Sequence, residues 1–586
     1  MSTGTGPHRR RRVQLTPLPP VPVAFTGRRQ GEGPLTLGQL NIFRWLDRTP
    51  DHFYAVLAVP LPVPDGASVD DVAAAVAVLV ARHEALRTSY SGGERPRQRV
   101  AASGVLALEV FSLGAGRWGP RDGTAVADAL VRVLREPPPG PRRPEVRVAV
   151  ATAPDEGDRV VACAAGFSHL AVDHGAIEVV RREFAELVGN PSLRQVGEPR
   201  HHPLDQAELE ARSVERRRAE ASLDYVLEQS WRIPRVLYAL PGGRASGESL
   251  AVELSSVAAA MAVRRVAART RASRSSIVLA AVCAVLAHRT GYRELVLPLL
   301  SGNRFERHLV NYVGSLAQGC IATVEVGEGS FDALVKHTWT AVLEASRHAR
   351  YDAARRAAED AVIERERGLR FNYDPLFNSL VPESWSGVTA GVGFRPEEVE
   401  AALGRTELRW RPVHRNGTPV RFGLNQVDGR LVLDLWSSDT GLVPRADMEA
   451  LLTAVERLLV AASRADLDAG RVREAIALEP IARPPDWVLV DSCWVDPAEV
   501  RRLLDQALAP AVTRLFPSLG GRPLVAHLTA TDAVRTPEEA HARCMDALAD
   551  HHTALTPRHY VICRTAPDDP DDPRAWTPLV SGSGRS

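Results

Sequence analysis

Hydrophobic and polar positions along the chain follow two periods. At residues 160–187 (VVACAAGFSHLAVDHGAIEVVRREFAEL) a run of small and β-branched apolar residues gives way to a polar cluster, Ser168, His169, Asp173 and His174. Apolar residues return at Ile177, Val180, Phe184 and Leu187. The first part predicts a buried strand and the last an amphipathic helix. Residues 145–153 and 159–166 predict two strands joined by the turn Asp155-Glu156-Gly157-Asp158, a hairpin that delivers the chain to His169. Upstream, LTLGQLNIFRWLD puts Leu37, Leu40 and Phe43 or Arg44 at helical spacing, with Thr36 as N-cap. A second helix follows Ser68, with Val72, Val76, Leu79, Val80 and His83 along one side.

Beyond Leu187 the chain turns polar and proline-containing, and a crossover at about 190–206 is the natural break between two lobes. A charged helix over 208–229 comes next. Helices are then predicted over 258–270 and 275–288, the latter stopped by Gly291, and a strand over 295–300 leads into Ser301-Gly302-Asn303-Arg304. A helix over 331–349, the cluster Phe371-Asn372-Tyr373, strands around Phe422 and over 431–436, and an amphipathic helix over 445–462 complete this part. Residues 466–486, rich in Asp and Pro, read as a linker, and 487–586 as a small α+β unit of two strands and two helices. Residues 1–30, basic and then proline-rich, read as a disordered arm. The expected divisions are therefore 1–30, 31–200, 201–465, 466–486 and 487–586.

Composition narrows the function classes. A length of 586 residues allows about three or four units, and 45% apolar with 24% charged residues is ordinary for a globular protein. A net charge of +1 gives no electrostatic footprint for nucleic acid or an acidic membrane. Lys336 is the only lysine, which we read as the coding bias of a GC-rich genome. The six cysteines are far apart, so neither a zinc site nor a disulfide framework is indicated, and a reducing cytoplasm is the expected location. The longest apolar run, 277–287, is shorter than the roughly 20 residues a membrane span needs. The arginines at 9–12 precede no apolar stretch of the kind a secretory signal has.

The chemistry points to the strand-to-helix connection. His169, with an ordinary pKa of about 6.5, can take a proton from an attacking amine, hydroxyl or thiol. Asp173, four residues on, can orient that ring or pair with a distant cation and hold the loop; the residues alone leave both open, and so short a pattern also fits a satisfied polar turn.

Taken in order, these segments resemble the condensation domains of nonribosomal peptide synthetases over roughly residues 35–462. LTLGQLNIFRWL resembles the family's opening motif, with Gln39 at its glutamine. RHEALRTSY matches the second motif almost residue for residue. FSHLAVDH stands at the active-site motif HHxxxDG, SGNRFERHLVNYVG resembles the later arginine-to-Val-Gly segment, and Phe371-Asn372-Tyr373 the end-region motif. The resemblance implies an α/β (α+β) fold of two chloramphenicol-acetyltransferase-like lobes forming a V-shaped condensation domain. It puts His169 at the functional histidine, as general base or positioner of the nucleophile. Asp173 falls at the structural aspartate, with Arg304 its candidate partner. Two positions depart from the motif: Ser168 replaces the first histidine, and His174 replaces the glycine, where it could narrow the tunnel, act as a second base or point away.

The last hundred residues resemble, more faintly, the small C-terminal subdomain of adenylate-forming enzymes, but the stretch that would carry its catalytic lysine is APDDPDDP. An interaction appendage is the reading that follows. FPSLGGRPL mimics a phosphopantetheine site, but Pro523 stands where the serine must be; HHPLD at 201–205 is one residue short of HHxxxD and is expected to be solvent-exposed. Cys163 reads as a core residue. The expected activity is a stand-alone acyltransferase of natural-product biosynthesis. It would join a carrier-bound acyl or aminoacyl thioester to an amine, or a hydroxyl, without metal or nucleotide, the phosphopantetheine arm being supplied in trans by the carrier protein. A silent scaffold docking carrier proteins or a tailoring enzyme, and a coenzyme-A-dependent acyltransferase of the same fold, are the alternatives.

Overall fold

A computed structural model describes residues 13–48, 52–114, 118, 122–136, 145–153, 159–195, 201–243, 246–381, 394–414 and 418–585. The hairpin before His169 pairs Val146–Thr152 antiparallel with Val160–Ser168, Val146 opposite Phe167 and Val150 opposite Cys163. Alternation sends Val148, Val150, Cys163, Ala165 and Phe167 to one face and Ala149, Ala151, Ala162 and Ala164 to the other. Both faces are buried, which is why these strands read as continuous apolar runs. Val69–Arg82 and His174–Gly189 cover the first face, Gly123–Arg135 the second. Ser68 caps its helix, accepting from the Asp71 N–H at 3.1 Å while Asp71 Oδ2 accepts from the Ser68 N–H at 3.2 Å.

The sheet runs in the order Leu15–Thr26, Ser103–Leu113, Val146–Thr152, Val160–Ser168, Val56–Leu61, with Gly31–Pro34, Arg97–Val100 and Thr88–Ser91 forming a smaller sheet of their own. These elements belong to the first of two units, Met1–Arg218 with Gly302–Gln318. Its composition corrects three expectations. Residues 15–26 form an edge strand rather than part of a disordered arm; an edge tolerates Pro17, Pro19, Pro20 and Pro22, and the register slips between Leu18 and Val21. The arginines at 9–12 lie outside the described residues. Residues 201–218 and 302–318 join this unit although they were expected in the second lobe. His202 is buried rather than solvent-exposed: it precedes the helix Pro203–Glu210, its N–H bound by Asp205 Oδ2 at 2.9 Å, while His201 pairs with Gln206 at 2.8 Å.

The second unit, Ala219–Ser301 with Gly319–Ser586, holds a seven-stranded sheet in the order Gln318–Glu325, Glu294–Ser301, Leu376–Ser379, Val420–Gln426, Leu431–Ser437, Leu250–Ser256, Glu407–Pro412. Val257–Thr270, Arg274–Thr290, Phe331–Arg347 and Arg445–Ala462 share its main core. Gly291 ends the second of these helices at φ 79°, a left-handed conformation glycine adopts without strain. No single helix among the described residues is long and apolar enough to cross a membrane. The stretch 466–486 is no free linker: it contains the helix Ala469–Ile476, and Leu467, Ile476 and Ile481 enter the same core.

The final hundred residues carry more strand than expected. Thr513–Leu519, Arg522–Thr529, His559–Cys563 and Pro578–Gly582 form one sheet with the helices Pro497–Ala507 and Pro537–Ala547, and Val488–Val490 pairs with Cys493–Val495. The FPSLGGRPL decoy is a hairpin that turns at Gly520 and Gly521, both at positive φ. Within this unit Leu369 lies in the core of the final segment, and the buried Arg235 donates to the carbonyls of Leu548 and Ala554.

Candidate active site

Ser168 ends its strand, and the chain then turns tightly, with the N–H groups of Ala171 and Val172 returning to the Ser168 carbonyl at 2.9 and 3.2 Å. The His169 N–H is held by the Ala55 carbonyl at 2.9 Å, and its ring Nδ1 lies 3.1 Å from the Val172 carbonyl. A carbonyl only accepts, so Nδ1 carries the proton and the lone pair stands on Nε2. The half-buried ring packs edge-on against Trp45, centroids 5.9 Å apart, and Trp45 in turn against Tyr54 at 6.3 Å. Burial pushes the His169 pKa down, against its own backbone, Asp173 and the Val172 carbonyl, which pull it up. The ring is neutral near pH 7, the form a base requires.

Asp173, 2% exposed, does not reach the imidazole as an orienting partner; its bonds go elsewhere. Oδ1 caps the helix His174–Gly189 through the Ala176 N–H at 2.9 Å, and the carboxylate takes a two-pronged bond from Arg304, Nη2 to Oδ1 at 2.6 Å and Nη1 to Oδ2 at 2.8 Å. Oδ2 also accepts from the N–H groups of Leu316 and Ala317 at 2.9 and 3.1 Å. Burial alone would raise this carboxyl; the Arg304 guanidinium and the backbone donors outweigh it and hold the group below the usual carboxylate range. Arg304 further donates to the Gly302 and Gly314 carbonyls at 3.0 and 3.2 Å.

Of the motif residues named from sequence, Gln39 and the RHEALRTSY segment lie in the same unit as this clamp, whereas Phe371-Asn372-Tyr373 lies in the second unit. Gln39 Oε1 accepts from the Thr36 N–H at 2.9 Å, and its amide reaches Gln98 at 3.1 Å and the Tyr90 hydroxyl at 3.4 Å; Tyr90 donates to the Leu170 carbonyl at 3.2 Å. His83 and Arg82 both meet Glu183, at 2.9 and 2.7 Å, and Glu84 pairs with Arg29 at 2.8 Å. His174 opens its helix, half-buried, with no side-chain hydrogen bond among the described residues. Cys163 is buried in its strand and burial pushes its thiol far up, as for a core residue.

Sequence reasoning passed over four contributors. Trp45 and Tyr90 stand beside His169 and Leu170. Glu145 opposes Ser168, whose N–H donates to the Glu145 carbonyl at 2.8 Å. Gly175 lies under Arg304: a Cβ there would fall 2.8 Å from the guanidinium carbon. The H-D-H-G spacing carried a signal for this last residue, since a glycine does follow Asp173, one position late. Among the described residues no group of three or more His, Cys, Asp or Glu side chains is arranged to hold a metal.

The matched family is described as Condensation domain and covers residues 29–377, more than half of the chain. The chain belongs to the condensation-domain family. Among solved condensation-domain structures it is similar to the domain that mediates chain release from the enacyloxin polyketide synthase, with TM-score 0.58, 18% identity, and coverage of 77% of this chain and 84% of that one. SgcC5 from Streptomyces globisporus gives TM-score 0.53 and 20% identity over 74% of this chain and 98% of that one. The X-domain from teicoplanin biosynthesis, solved in complex with OxyB, gives 0.54 and 17% over 77% and 97%. At these identities the likeness is one of fold. No curated protein matches the chain.

Proposed function

We propose that this condensation-domain protein is an acyltransferase that joins an acyl or aminoacyl thioester, borne on a carrier protein acting in trans, to an amine or hydroxyl acceptor. The observation that carries this reading is the fixed tautomer of a neutral, half-buried His169, with its lone pair on Nε2. Nε2 takes the proton of the attacking N–H or O–H as the new bond forms to the thioester carbon. The tetrahedral oxyanion then collapses, the C–S bond breaks, and the proton passes to the departing thiolate. Asp173 and Arg304 hold the loop and take no part in proton transfer. The phosphopantetheine arm arrives with the carrier; the chain's own FPSLGGRPL hairpin has Pro523 where an attachment serine would stand.

A second reading, a silent scaffold that docks a carrier or tailoring enzyme, draws on Ser168 and His174 at two motif positions and on a similar fold having been solved in complex with OxyB. A coenzyme-A-dependent enzyme of the same fold is separated by its donor. The test compares wild type with His169→Ala by mass spectrometry, using acyl carriers, free acyl-CoA and candidate acceptors. Product that appears with carrier and falls by about 10²-fold or more in the folded variant supports the proposal. Equal turnover by both proteins overturns the role of His169; carrier binding with no turnover by either favours the scaffold.

A further inference from the structure

Three large aromatic rings of the first unit stand apart from its apolar cores. Trp45 comes from the helix Leu37–Arg48, Phe53 and Tyr54 from the short helical turn His52–Ala55, and all three are half-buried. Among the described residues, none of them packs into either of the two cores that sandwich the sheet. Phe167 and Phe184, which do, are 2% and 0% exposed. Aromatic residues are only 5% of the chain, and a ring removes most apolar area from water when it lies inside. Three such rings left side by side at the surface of the fold, next to a catalytic base, have the character of a ligand-binding lining rather than of a core.

The rings form a row that begins at His169. Trp45 meets the imidazole edge-on at 5.9 Å and 70°, Tyr54 meets Trp45 at 6.3 Å and 62°, and Phe53 meets Tyr54 at 5.2 Å and 83°. The Arg135 guanidinium lies over Phe53 at 4.4 Å and closes the far end. Backbone fastens the row to the base: Ala55, the last residue of the turn that carries Phe53 and Tyr54, accepts the His169 N–H at 2.9 Å. The His169 Nδ1 is engaged by Val172, while Nε2 has no hydrogen bond among the described residues. A substrate atom within about 3 Å of Nε2 therefore brings the rest of its molecule beside Trp45. Edges and faces of rings at this spacing complement another flat π-system, through edge-to-face and offset contacts, better than a saturated chain of similar size.

Resting on the acyltransferase reading for its consequence in turnover, we propose that Trp45, Tyr54 and Phe53 form the specificity wall of the His169 site and select a substrate that carries a planar aromatic group, either in the acyl part of the thioester or in the acceptor. The test titrates probes into the full chain with 13Cε1-labelled histidine and follows the His169 signal, assigned with His169→Gln. Donor probes are the N-acetylcysteamine thioesters of phenylacetate and hexanoate; acceptor probes are phenethylamine and hexylamine. In one arm the aryl probe should bind about tenfold more tightly than its alkyl counterpart and shift the His169 signal, and that arm identifies the source of the aromatic group. Trp45→Ala should bring the preference close to unity, and Trp45→Phe should retain it. Tyr54→Leu, which leaves Trp45 in place, should lower it as well and decides the matter if Trp45→Ala does not fold. No aryl preference in either arm, an aryl probe that binds without moving His169, or a preference unchanged in folded Trp45→Ala overturns the proposal. In turnover the ratio of kcat/KM for aryl over alkyl substrate should fall about tenfold in Trp45→Ala, mostly through KM. If the binding preference is present and no acyl transfer is found, the wall stands and the functional reading falls.

Discussion

Single residues in this chain are governed by what burial does to charge. Asp374, 4% exposed, lines a small apolar cavity in the second unit with Tyr238, Phe422 and Leu435, and its Oδ1 has no hydrogen-bond partner there. Desolvation raises its carboxyl to about 7, Arg235 offsetting only part. A folded-state pKa above the unfolded value means that the carboxyl favours folding while protonated. That contribution is complete below the unfolded pKa near 4 and is lost as pH rises through 7. By pH 8 the difference amounts to roughly 4 kcal/mol, taking about 1.4 kcal/mol per unit. Denaturant melts of Asp374→Asn should show stability nearly flat from pH 6 to 8 where wild type declines; a wild-type profile equally flat would refute it. Asp173 runs the other way, because Arg304 and the backbone N–H groups of three residues, Ala176, Leu316 and Ala317, keep its carboxylate charged into the acid range.

Elements are held to the site by close approaches that single residues permit. The helix Leu37–Arg48 comes so near the segment Gly302–Gln318 that a Cβ on Gly38 would stand 2.3 Å from the Ser315 carbonyl oxygen. Asn41 donates to the Ala317 carbonyl at 3.2 Å, and Arg304 ties the same segment to the start of the helix His174–Gly189. Arg304→Ala should cost about 3–5 kcal/mol, since it strands a buried carboxylate, and the loss should shrink in the double variant with Asp173→Asn. A double-mutant cycle of unfolding free energies measures this; additive losses would dissolve the pair. Much of this layer was legible in the sequence: the hairpin before His169, the helix that follows Ser68, and the helix at Arg445–Ala462 all follow from the period of apolar positions. The strand at Leu15–Thr26 was not, because four prolines resemble an extended solvated arm unless one knows that the strand lies on an edge. Likewise the pairing of Asp173 with Arg304 spans 131 positions, which no local pattern encodes; only the order of motifs suggested it.

At the scale of the whole molecule, the last hundred residues are bound into the second unit by buried arginines. Arg367 donates to the carbonyls of Ser230 and Ile233 and to Asp491, while Arg235 bonds the carbonyls near Leu548. Arg235→Met, which fills the volume without the donors, should leave the buried Ala554 carbonyl unpaired while that of Leu548 keeps the His551 N–H, and destabilise by about 1–3 kcal/mol, read as a lowered melting temperature and earlier protease cleavage after residue 486. Unchanged melting would mean that the final segment is only loosely attached. The excursion of Gly302–Gln318 into the first unit has a consequence for how such a protein can be rebuilt. A hybrid spliced from two homologues near residue 218 would inherit its aspartate from one parent and the arginine that clamps it from the other. Recombination that respects the fold must therefore carry two exchange windows together, and a gene library cut at one junction would be depleted of working chimaeras for reasons that no linear map of the gene displays.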